Sequence, residues 1–94
     1  MGTINISGVI FAANGMSLVI ILYDSNNDPV WPGPVTFNGE FSETYELPNG
    51  LYTLSMIGDT QGTFVFNITG MAAINPSVPA TYINKISDSF DITL

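Results

Sequence analysis

Glu40, Glu43 and Glu46 set three carboxylates within seven residues, the densest group of acids in the chain. Two carboxylates held close, one of them desolvated, can divide the roles of general acid and general base. The plainer reading is an edge strand kept soluble by its acids, and it is the one adopted here. A second set, Asp24, Asn26 and Asp28, places oxygen ligands at alternate positions, as the start of a calcium loop does. The pattern then breaks. Pro29 stands where such a loop needs glycine, and Val35 where it needs a bidentate glutamate. The expectation is a turn held by Asx hydrogen bonds, with no metal and no cofactor. A calcium site shared with another loop is the alternative. Without histidine or cysteine, the chain can form neither a Ser-His or Cys-His nucleophile pair nor a His-ligated zinc site. The expectation is a protein that is not an enzyme.

If chemistry is absent, contact must carry the function. Trp31 lies in Pro-Val-Trp-Pro-Gly-Pro, where flanking prolines stiffen it. It can anchor a partner, because tryptophan is enriched at binding hot spots, or stack on a sugar ring. It can also close the end of the core as a lid. Residues 70–85 hold Met71, Ile74, Val78, Tyr82 and Ile83 and no acid. A stretch so long, apolar and proline-restricted is expected to be an irregular arm, docked on a neighbour or folded over its own core. The candidate interaction residues are Trp31, Met71, Ile74, Val78 and Tyr82.

Two features are set aside. Asn5-Ile6-Ser7 and Asn67-Ile68-Thr69 are glycosylation sequons, but both fall in expected strands, where a glycan fits poorly. An isopeptide between Lys85 and an asparagine, as in some surface adhesins, is disfavoured by the position of Lys85 beside a loop.

These side chains sit in a chain punctuated for β-structure. Turn signals recur at 14–15, 25–29, 32–34, 38–39, 48–50, 58–62, 70 and 75–79, between short runs rich in β-branched and aromatic residues. Seven strands are expected, over 3–11, 17–24, 35–37, 40–47, 51–57, 63–69 and 86–94. The strand at 17–24 is apolar on both faces, which suits a central or an interface strand. Asn38-Gly39 reads as a two-residue hairpin turn. Phe64, Phe66 and Ile68 share one face, as do Tyr52, Leu54 and Met56.

Ninety-four residues suit a single domain. Charged residues are 10% of the chain, against about 25% in average soluble domains. Lys85 is the only base and the net charge is -7. Nucleic acid is therefore excluded as a partner, because phosphate neutralisation needs clustered Lys and Arg, and anionic membrane surfaces are excluded on the same grounds. Without cysteines there is no disulfide framework. Residues 1–22 lack a basic start, and Asn5, Ser7, Asn14 and Ser17 interrupt their apolar runs, so no signal peptide is expected. So little charge leaves few groups to keep the outer faces wet, and part of the surface is expected to be covered by protein.

Residues 39–58, GEFSETYELPNGLYTLSMIG, resemble the carboxypeptidase regulatory-like domains, with Gly39, Phe41, Leu47, Pro48, Gly50, Tyr52 and Leu54 on the matching positions. Residues 6–10, ISGVI, are similar to the first strand of that family, and the resemblance covers residues 4–70. It implies a transthyretin-like sandwich and a non-catalytic accessory or scaffold module. The expected fold is all-β: one Ig-like or transthyretin-like antiparallel β-sandwich of about seven strands over 1–94. The expected function is a structural subunit of a larger assembly, such as a capsid decoration protein of a virion, partnered by itself or by a shell. The alternative is an extracellular or cell-surface module that binds carbohydrate or protein.

Overall fold

The computed structural model describes residues 2–11, 16–30, 33–70 and 72–94. They form β1 (Gly2–Phe11), β2 (Met16–Tyr23), β3 (Val35–Phe37), β4 (Phe41–Leu47), β5 (Leu51–Gly70), β6 (Ala73–Asn75) and β7 (Ala80–Thr93). All pairings between these strands are antiparallel and belong to one sheet.

β5 is the spine of this sheet. One side of it pairs with β2 over residues 53–60 and with β1 over residues 63–70. β7 runs along the other side of both halves. Twenty residues at about 3.3 Å each would reach about 66 Å if straight. The longest dimension of the molecule is 37 Å, so β5 must bend. It bends where the register slips. Between the pairs Asp59–Lys85 and Thr63–Ile83, β5 advances four residues while β7 advances two. The surplus makes a bulge, and bulges turn a strand. On β7 the corner is taken by Asn84, with φ at 67°.

This bend corrects the expectation of separate strands at 51–57 and 63–69. The glycines at 58–62 do not end a strand. Gly58 lets β2 approach: a Cβ there would lie 2.1 Å from the Ser17 carbonyl oxygen. The all-β, antiparallel expectation of about seven strands holds; the strands form one sheet curled into a half-barrel, because two of them run through both halves, and a sandwich is not confirmed.

The Asn38-Gly39 hairpin is corrected too. β3 pairs β2, β4 pairs β1, and the order β3-β2-β5-β1-β4 puts them at opposite ends. Neither Asn38 nor Gly39 takes the positive φ that a type I′ turn requires. Residues 38–40 instead join β3 to β4, the two ends of that order, and the Phe37 and Phe41 rings stack across the join at 4.0 Å.

Residues 70–85 are less irregular than expected. Ala73–Asn75 pair with residues 91–93 of β7, and β7 already begins at Ala80. The prolines at 76 and 79 concealed two strands because each lies between them, where no ladder amide is needed.

Strand alternation then fills the core from both halves of the curl. Leu18, Leu54 and Met56 enter from one half and Ile4, Ile6, Phe64 and Phe66 from the other, while β7 adds Ile86, Phe90 and Ile92. Phe64 and Phe66 are fully buried, as their shared face requires. Phe66 packs on Phe90 with ring centroids 5.6 Å apart.

Candidate functional site

The three glutamates do not converge. Glu40 precedes β4. Glu43 pairs with buried Ile6 and so lies on the core-facing side of the strand, between Phe41 and Tyr45, while Glu46 pairs with Thr3 on the outer side. An odd spacing along a strand puts two side chains on opposite faces, so Glu43 and Glu46 cannot share a reacting group. β4 pairs only with β1, which makes it a rim strand. A carboxylate on the inward side of a rim strand obstructs pairing with another chain, because docking would bury its charge. It also acts locally: burial and then the Glu43 charge raise the Tyr45 pKa above its ordinary value.

The Asp24 loop folds by Asx chemistry. The amides of Asn26 and Asp28 donate to Asp24 Oδ1 at 2.9 and 3.1 Å. The Asp24 amide donates to the Asp28 carbonyl at 3.0 Å, and Asn27 takes the corner at φ 62°. One oxygen of the carboxylate that would lead a calcium loop is thus engaged by backbone. Among the described residues no group of three or more acids could hold a metal ion.

A surface groove runs beside this loop. Asp24, Ser25 and Asn27 form one wall; Thr53, Asp91 and Thr93, with the exposed Leu51, form the other. Thr53 and Asp91 are neighbours across the β5–β7 ladder. The groove encloses about 460 Å³, within the range of small-ligand sites. A second cavity, lined by Ile4, Ile6, Ile20, Leu22, Val30 and Leu54 among others, has room for about 10 Å³. That is the size of one water, and its aliphatic walls offer water few partners. It is a packing defect of the core and not a binding site.

Of the interaction residues expected from sequence, Trp31 and Met71 lie outside the described residues. Ile74, Val78 and Tyr82 are half-buried and pack against the chain's own core. Tyr82 lies against Phe64, and its hydroxyl donates to Asp88 Oδ2 at 2.7 Å. Burial, this hydrogen bond and the Asp88 charge together push the Tyr82 pKa far above its usual 10.0. Tyr82 and Asp88 stand on either side of Asn84, so their bond spans the corner of β7. Asp88 pairs with buried Met56 and faces inward, as Glu43 does on the opposite rim.

Other features escaped sequence reasoning. Tyr52 donates to the Pro48 carbonyl at 2.7 Å, and Gly50 and Leu94 exchange two backbone hydrogen bonds, so Pro-Asn-Gly is a locked corner. Apart from Ile83 of the 70–85 stretch, the apolar residues left outside were also missed: Val9, Phe11, Leu51, Ile57 and Ile83 are 41, 54, 60, 64 and 69% exposed. Alternation was the available signal, since each sits on the opposite face from its buried neighbours. Both sequon asparagines lie in strands, as expected, and the Asn5 amide donates to Ser42 and Thr44 at 3.1 and 3.2 Å. Lys85 is exposed and stands opposite Asp59.

No protein-family model, curated protein or solved structure matches this chain. The curled antiparallel sheet is compatible with a sandwich-like fold, and no match confirms the carboxypeptidase regulatory-like family.

Proposed function

We propose that this chain works by contact, as a structural subunit of a larger assembly such as a small decoration protein on a virion capsid. In this reading the curled sheet is a bent variant of the transthyretin-like sandwich. The observation that carries the proposal is the exposure of five large apolar side chains on strands whose flanking rims carry inward carboxylates. Exposed apolar side chains lose free energy in water and gain it when covered. The acids Glu43 and Asp88 obstruct covering by strand addition, which leaves the faces. Fractionation of the native source by sedimentation tests the proposal. The chain is expected to travel with a large particle at fixed stoichiometry, and recovery only as free protein would sink the reading.

The groove between the Asp24 loop and Asp91 favours a second reading, a surface-associated module for carbohydrate. Carboxylate, amide and hydroxyl groups over an exposed leucine suit a neutral polyol better than an anion. Titration with neutral oligosaccharides, followed by NMR shifts at Asn27, Thr53 and Asp91, distinguishes the two. Shifts confined to those residues support the module; an unchanged spectrum removes it.

A further inference from the structure

The outer face of β1, the C-terminal half of β5 and the start of β7 is free of charge. Register defines it row by row: Phe11, Thr63 and Ile83 form one row, and Val9, Val65 and Thr81 the next. Ser7 and Asn67, then Asn5 and Thr69, continue it without a charged residue. The acids lie elsewhere: along residues 40–46, in the 24–28 loop, at Asp59, and at Asp88 and Asp91.

We infer that this face docks on the same face of a second copy of the chain, as a weak isologous dimer. The inference rests on the contact reading above and names the surface and its occupant. Charge selects the occupant. Two copies at -7 each repel, and this face lets them approach without setting acid against acid. A basic partner would gain nothing here, since it would seek the acidic rim and loops. Size sets the strength. Seven residues at about 3.3 Å and three strands at about 4.8 Å span roughly 23 by 14 Å. Two copies would bury on the order of 650 Å², well below the smallest stable specific interfaces, so the dimer should be reversible and weaker than micromolar.

Sedimentation velocity of the intact chain over a wide concentration range tests this. The wild type should pass from monomer to dimer. Ile83→Lys, at an exposed position, should melt as the wild type does and weaken association about tenfold or more. It also lowers the net negative charge, so weaker association cannot come from general repulsion. Ile57→Lys, equally exposed on the other half of the curl, serves as the control and should dimerise as the wild type does. A wild type that stays monomeric up to its solubility limit overturns the inference, as does equal weakening by both variants. A monomer still recovered on a large particle defeats the dimer alone, whereas a dimer never found on one defeats the proposed function and leaves the face standing.

Discussion

Thr60 is the one described residue whose buried side-chain polar atom finds no partner: it is 2% exposed and its Oγ1 makes no hydrogen bond. A buried hydroxyl without a partner costs about 1–3 kcal/mol, and a side chain of the same shape without the oxygen avoids that cost. Thr60→Val should therefore stabilise the fold by about 1 kcal/mol, raising the melting temperature by roughly 4–8 °C. A lower melting temperature would mean the hydroxyl is satisfied. Tyr82 makes the opposite case, a polar tip well served. Its folded pKa is raised, so its contribution to stability is complete below the unfolded value of 10.0 and fades as pH rises past it. In an alkaline titration Tyr82 and Tyr45 should both ionise above the ordinary tyrosine value of 10.0. Tyr82→Phe should lose stability at neutral pH and show a shallower alkaline decline; an unchanged decline would remove Tyr82 as its source. Neither the orphaned Thr60 hydroxyl nor the Tyr82–Asp88 bond was legible beforehand, because each depends on what the bend places beside it. The Asx turn was legible, because Asp24 reaches only four residues along the chain.

Single elements were readable where their signal was local. Alternation found the buried faces of β1, β5 and β7, and Phe64 and Phe66 lie as their spacing demands. Connections were not readable. Glycine marks both turns and close approaches, and sequence does not say which. Gly58 is an approach: a Cβ would meet the Ser17 oxygen at 2.1 Å and the Leu18 Cα at 2.8 Å, both backbone atoms. Gly58→Ala should cost about 1–3 kcal/mol or more, because β2 cannot move away without breaking its ladder. Gly39→Ala, with no atom within 4 Å, should melt within about 1 °C of the wild type. Equal effects at the two sites would mean that β2 and β5 are not closely apposed at the bend. Asn38-Gly39 misled for the related reason that a two-residue turn signal cannot report which strands flank it in space.

At the scale of the molecule, the curl leaves two long rims, β4 and residues 80–90 of β7, each with a carboxylate turned toward the core side. Glu43→Val should keep the fold, since Glu43 is exposed, and should speed growth of β-rich aggregates detected by light scattering and thioflavin fluorescence. Aggregation no faster than the wild type would show that Glu43 does not guard the rim. Curvature of the whole sheet was out of reach of sequence, because it arises from a surplus of two residues in one strand relative to its partner. The shared strand β7 also has a consequence for biosynthesis. It spans residues 80–93 and completes both halves of the curl. A nascent chain emerging from the ribosome exposes β1 to β5 before the strand that closes them exists. Most of the stabilising contacts join residues distant in sequence, so the core cannot close before β7 has emerged. Ribosome-bound chains with residues up to 79 clear of the exit tunnel should be digested by protease, whereas chains carrying residue 94 clear of it should resist. Resistance with residues up to 79 exposed would mean that β1 to β6 make a core of their own.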